Sequence, residues 1–173
     1  MKVRHVLKAI FALSVTLTAV GLYCHGAARP KPGAKGSREE SESTDLWTAA
    51  QLVQPADFVK EISAAGGSKP LVICVGFDFL YQSAHIPGAV LYGPGREESG
   101  IKALENAAKA WPHHREIVLY CGCCPMKQCP NLRPAFQSLQ GMGFTHLRVL
   151  DLEHDFRQDW LQKGLVVEKG SAK

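Results

Sequence analysis

Residues 120–131 read YCGCCPMKQCPN and place four of the chain's six cysteines within nine positions. The apolar, β-branched run EIVL comes just before and has the composition of a buried strand, while NLRPAFQSLQGMG just after has the pattern of a helix stopped by glycine. A thiolate is the reactive form of cysteine, and a neighbouring helix N-terminus, with its unpaired N–H groups, lowers the pKa of a thiol. Cys121 sits where such a strand hands over to such a helix. Gly122 leaves room for the loop amides to curl inward, so residues 122–127 (Gly122, Cys123, Cys124, Pro125, Met126 and Lys127) form the expected anion cradle around Cys121. Asn131 has the type of an N-cap, and Pro134 falls in the first helical turn, where a missing N–H does no harm. Arg133, in the same turn, opposes the helix dipole and would be explained by an anion in the cradle.

Three chemistries compete for such a sulfur. Phosphate-ester attack calls for an arginine six residues after the cysteine, but that position is Lys127 counting from Cys121 and Pro130 counting from Cys124. Dithiol exchange would use Cys121 and Cys124 as a C-x-x-C pair, although motifs of that kind precede several further strands and here only one follows. Sulfur transfer needs one thiolate that attacks a sulfane sulfur, carries it as a persulfide and releases it to a thiol or cyanide. It requires no cofactor and no metal.

The elements that must hold the loop alternate along the chain. PADFVKEISAAGG predicts a helix with Phe58, Ile62 and Ala65 on one face, preceded at residues 48–51 by a capping-box pattern formed by Thr48 and Gln51. PLVICVGF predicts a strand covered on both faces, GAVLYG a shorter one, and GIKALENAAKAW a helix presenting Ile101, Leu104, Ala108 and Trp111. After the EIVLYC strand, a helix buries Leu132, Ala135, Phe136 and Leu139, then HLRVLDL forms a strand and DFRQDWLQKG a short final helix. This alternation predicts an α/β domain with a central parallel sheet and helices on both faces, whose site lies at the carboxyl ends of the strands.

The 173 residues, 46% of them apolar, leave room for one core, and the net charge of +4 carries no basic stripe with aromatics, so nucleic acid is not an expected partner. MKVRH followed by a fifteen-residue apolar run and the small residues of CHGAA reads as a signal peptide over residues 1–28. The run is shorter than the roughly 20 residues that span a bilayer, so the membrane is a partner only through this segment, if it stays uncleaved. Residues 29–44 are polar and rich in Pro, Gly and Ser, the composition of a flexible linker; the domain follows over 45–169, with a disordered tail at 170–173. The expected location is periplasmic or extracellular. Loss of Cys24 with the signal leaves five thiols, an odd number, in a compartment where disulfides persist.

HIPGA at residues 85–89, the cysteine ending IVLYC, and GFTHLRVLDL followed by WLQKGLVV together resemble the rhodanese-like domain of the sulfurtransferase family, over roughly residues 46–169. Pro87-Gly88 suits the centre of a type II turn, with Gly88 at positive φ. The resemblance implies a single rhodanese-like domain, Cys121 as the catalytic nucleophile, residues 122–127 as the substrate-binding loop, and a small sulfur donor with a thiol or cyanide acceptor as partners. It assigns Trp160 and Gly164 to the closing segment and His85 to its turn. Where the family's first long strand ends in Asp-Val-Arg, this chain has Cys74, Val75 and Gly76, and its active loop is longer and holds three extra cysteines. Cys123, Cys124 and Cys129 could relay a persulfide, close a disulfide such as Cys124–Cys129, bind a thiophilic metal or simply pack. Cys74 reads as a small hydrophobe, and His113, His114 and Lys127 as solvated. Thiol–disulfide exchange through Cys121 and Cys124, and a non-catalytic module binding metal or a partner, are the alternatives to sulfur transfer.

Overall fold

The computed structural model describes residues 45–170; the expected signal segment, the linker and residues 171–173 lie outside the described residues. Five parallel strands form one sheet in the order β1-β5-β4-β2-β3: β1 Leu52–Val53, β2 Leu71–Cys74, β3 Val90–Leu91, β4 Ile117–Tyr120 and β5 Leu147–Leu150. The predicted α/β class and parallel sheet are therefore present. The helices are α1 Pro55–Ser63, α2 Asp78–Ser83, α3 Glu98–Ala108 and α4 Leu132–Gly141. No helix of the described residues is long and apolar enough to cross a membrane.

Burial on both faces of the sheet accounts for the continuous apolar strands. On one face α1, α2 and the segment around Trp160 set Phe58, Ile62, Tyr81 and Trp160 against Val72, Cys74, Val118 and Tyr120. On the other, α3 and α4 set Leu104, Ala108, Leu132, Ala135, Phe136 and Leu139 against Ile73, Ile117, Leu119 and Val149. The expected inner face of α4 is thus the observed one. Trp160 is fully buried, stacked on Phe156 at 5.7 Å, and donates its indole N–H to the Val166 carbonyl at 2.9 Å.

Strand pleat has a period of two, so Ile117, Leu119 and Cys121 point to the α3/α4 face while Val118 and Tyr120 point to the other. That alternation turns the sulfur of Cys121 toward the start of α4. The neighbouring strand end does the opposite. Cys74, in register with Tyr120, points to the α1/α2 face.

Local features differ from the sequence expectation in four places. The Thr48/Gln51 capping box forms, with the Gln51 side chain accepting the Thr48 N–H at 2.9 Å, but it closes a single 3-10 turn (Ala49–Gln51) that runs into β1. The helix α1 starts separately, with Pro55 in its first turn, and ends at Ser63, which leaves Ala65 exposed beyond it. The helix α2 is too short, with Tyr81 its one buried residue, to give the sequence a helical period. The final helix is one π-type turn, Arg157–Leu161, closed by the Gln162 N–H on the Arg157 carbonyl at 2.8 Å.

The turn over residues 86–89 forms as expected: the Ala89 N–H reaches the Ile86 carbonyl at 3.0 Å and Gly88 has φ +74°. His85 before it is buried, bonds through Nδ1 with the Tyr81 carbonyl at 2.8 Å and bridges Glu168 through both backbone groups. These bonds tie the chain's last described segment to the sheet edge. Gly170 is held in the same way, its N–H donating to the Gln82 carbonyl at 2.9 Å.

Candidate active site

Among the described residues, all five cysteines are unbonded thiols. Three of them meet: the sulfurs of Cys121, Cys123 and Cys129 lie within 4.8 Å of one another. Cys121 and Cys123 are 3.1 Å apart, and Cys123 is 3.2 Å from Cys124. Cys121 is 3% exposed and Cys129 fully buried, whereas Cys123 and Cys124 are partly exposed.

Asn131 organises this cluster. Its Nδ2 donates to the Cys121 sulfur at 3.2 Å and reaches the Cys123 sulfur at 3.8 Å. Its Oδ1 accepts the Arg96 N–H at 3.1 Å, and this fixes the orientation of a side chain with no solvent exposure. The expected N-cap role is corrected: Asn131 has helical backbone angles and makes no side-chain cap bond. Its amide is turned away from the helix amides and onto the sulfurs.

The expected cradle is also corrected in part. Of the loop amides, that of Cys123 faces the Cys121 sulfur. The N–H of Met126 goes instead to the Leu152 carbonyl at 2.8 Å, and the 3-10 turn Met126–Gln128 turns the Gln128 and Cys129 N–H groups onto the Pro125 and Met126 carbonyls. The extra length of the loop thus folds into a turn that uses up its own donors. The amides at the start of α4, from Asn131 and Leu132, serve Cys129. Met126 packs in the core, and Lys127 is exposed as expected. Arg133 does not enter the cluster: it pairs with Asp45, lies over the Trp47 ring and donates to the Lys127 carbonyl at 2.7 Å, stapling the loop from outside.

The thiols share charge unequally. Hydrogen bonds from the Cys121 and Cys129 thiols hold Cys123 far below its ordinary value, against its burial. The same bond to Cys123, then that to Cys129 and burial, push Cys121 up. The bond to Cys121 lowers Cys129, but that to Cys123 and burial outweigh it and the net direction is up. Burial and then Cys123 push Cys124 up. Within the cluster the charged form is favoured on Cys123 and disfavoured on its three neighbours. Cys74 stands apart, raised by burial to about 11, as befits the expected small hydrophobe.

A cavity of about 280 Å³ opens over the strand ends, lined by Cys121, Gly122 and Cys123 on one side and by Cys74, Tyr120, Phe156 and Arg157 on the other. Of the expected substrate-binding loop, Gly122 and Cys123 line it; Cys124, Pro125, Met126 and Lys127 do not. Gly122, at φ +81°, packs so close to Phe156 that a Cβ there would lie 2.9 Å from the Phe156 Cβ. Gly76, which stands where the family pattern has arginine, faces the Cys121 backbone, and a Cβ would lie 2.4 Å from the Cys121 carbonyl oxygen. Sequence reasoning did not find the roles of Asn131, Phe156 and Arg157; the surest available signal for Asn131 was its position two residues after the last cysteine.

No family model and no curated protein sequence matches the chain. Solved structures are similar to it. The BH2092 protein of Bacillus halodurans is 21% identical, with a TM-score of 0.52 over 68% of this chain and 75% of that one. The Alr3790 protein of Anabaena is 19% identical, with a TM-score of 0.51 over 68% and 82%. SseA of Escherichia coli, described as a 3-mercaptopyruvate sulfotransferase with the rhodanese fold, is 16% identical, with a TM-score of 0.50 over 71% of this chain and 53% of its own. This chain thus spans about half of SseA. The domain has the rhodanese-like α/β fold that its sequence resembles.

Proposed function

We propose that the protein is an exported sulfurtransferase that takes a sulfane sulfur onto Cys121 as a persulfide and passes it to a thiol or cyanide. The observation that carries this reading is Cys121, a residue of the cavity lining just past a strand end, whose sulfur accepts the fixed Asn131 Nδ2 donor at 3.2 Å. Asn131 stands nearer to Cys121, at 3.2 Å, than to Cys123, at 3.8 Å. Fixed N–H groups stabilise whichever charged sulfur species occupies the site, including a persulfide anion.

Cys121 gives up its proton to Cys123 across 3.1 Å as its sulfur closes on the donor. It attacks the outer sulfur of the donor, a new S–S bond forms, and the donor's leaving group departs with the electrons of the broken bond. The acceptor, as a thiolate or cyanide, then attacks the terminal sulfur of the persulfide, and Cys121 leaves as the thiolate. No net oxidation occurs. The small cavity, whose wall carries one cation, Arg157, and one carboxylate, Asp155, favours a compact donor such as a low-molecular-weight persulfide.

A thiocyanate-forming assay with a sulfane donor and cyanide tests the reading. Wild type should turn over and Cys121→Ser should not; equal turnover by the variant rejects it. Export rests on the N-terminal segment and is tested by fractionating cells that express the full chain: recovery outside the cytoplasm supports it, and cytoplasmic recovery contradicts it.

A further inference from the structure

We infer that Cys121, Cys123 and Cys129 form a three-coordinate site for monovalent copper. This goes beyond sulfur transfer and does not rest on it, since Cys129 takes no part in the cavity wall.

At a metal–sulfur distance of about 2.3 Å, three sulfurs around one ion stand about 4 Å apart. The three sulfurs here, with one edge of 3.1 Å and none beyond 4.8 Å, bracket that spacing and need only small rotations to adopt it. The chain brings them together from three backbone settings: Cys121 directly follows β4, Cys123 follows the positive-φ Gly122, and Cys129 caps the 3-10 turn before the start of α4.

Donor type and number then select the ion. The group contains sulfur alone, without imidazole or carboxylate. Soft thiolate ligands favour monovalent copper, zinc and iron–sulfur centres, and structural zinc almost always takes four ligands. Cys124 does not complete a fourth: it touches Cys123 and neighbours Cys129, but it is not one of the three mutually close sulfurs. Three buried or half-buried sulfurs suit monovalent copper best. Binding would release the thiol protons to solvent and leave a net negative charge on three thiolates around one monovalent ion.

The surroundings offset that charge. Each sulfur faces at least one N–H: Cys121 those of Asn131 Nδ2 and the Cys123 backbone, Cys123 that of Asn131 Nδ2, and Cys129 those of the Asn131 and Leu132 backbones. N–H donors around thiolates are the outer-shell partners that orient ligands and tune a metal. Asn131 is placed to serve the whole triangle, and Arg133 clamps the loop that carries Cys129 through its carbonyl at 3.4 Å.

The test titrates monovalent copper anaerobically into the reduced full-length protein against a copper-specific chelator, then records X-ray absorption on the loaded protein. One copper per chain withheld from the chelator, in a shell of three sulfurs, is expected. Cys124→Ser should retain it, Cys129→Ser should give it up to the chelator, and Asn131→Ala should hold it about 10- to 100-fold more weakly. A shell of two or four sulfurs, equal retention by Cys129→Ser, or free surrender by wild type would each overturn the inference. The absorption spectrum of wild type decides the sulfur count even if a variant fails to fold.

Discussion

Two neighbouring strand ends each carry a cysteine, and their environments are opposite. Cys74 closes β2 and Cys121 lies just beyond β4, one residue past the partner of Cys74 in the ladder. Both are 3% exposed. Cys74 points to the α1/α2 face among Val72, Tyr81 and Tyr120, and burial holds its proton, with a pKa raised to about 11. Cys121 points the other way, to two further sulfurs, a buried amide side chain and a loop N–H. Equal burial thus yields an inert thiol at one end and a charge-sharing cluster at the other. What separates them is the supply of fixed donors, which depends on the parity of the pleat and on what each face packs against.

The widest separation between the two ends should appear on removal of the sulfur: Cys121→Ser should abolish sulfur transfer while Cys74→Ala leaves turnover near wild type, and loss of activity in both would erase the contrast. Next comes backbone contact. Gly76→Ala places a methyl group 2.4 Å from the Cys121 carbonyl oxygen, so the strand ends must part. Overpacking of this kind costs about 1–3 kcal/mol, and a displacement near 1 Å lowers turnover about a hundredfold; chemical denaturation and steady-state assay read the two effects.

Asn131→Ala removes the fixed donor and leaves the Arg96 N–H without its acceptor, at about 1–3 kcal/mol of stability. Alkylation of the cluster thiols at neutral pH should slow, while Cys74 stays unlabelled until the protein unfolds. The smallest effect concerns pH. The Cys74 pKa is higher in the folded state than its ordinary 9.0, so stability is fully present below pH 9 and falls as pH rises toward 11, because the unfolded chain sheds its proton first. Unfolding curves across that window should lose this component in Cys74→Ala.

Much of this arrangement was legible in the sequence. The alternating apolar runs identified β2, β4, β5 and the buried face of α4, and HIPGA located a turn whose Gly88 does adopt positive φ. The strand-end position of Cys121 followed from the same pattern. Short elements left no periodic trace: β1 has two residues, and α2 has six with one buried. The direction of the donors was also hidden. Asn131 has the composition of a helix cap, and only the approach of Arg96 from another loop reveals why its amide turns toward sulfur. The 3-10 turn Met126–Gln128 consumes amides that the sequence offered as a cradle.

In the proposed reaction Cys121 is the sulfur that receives the transferred atom. Intact-protein mass spectrometry after brief exposure to a low-molecular-weight persulfide, followed by fragmentation to locate the adduct, tests this most directly. A gain of one sulfur atom on the peptide fragment containing Cys121, absent from Cys121→Ser, is the predicted result. An unchanged mass, or an added sulfur located on Cys123 or Cys74 instead, would contradict it.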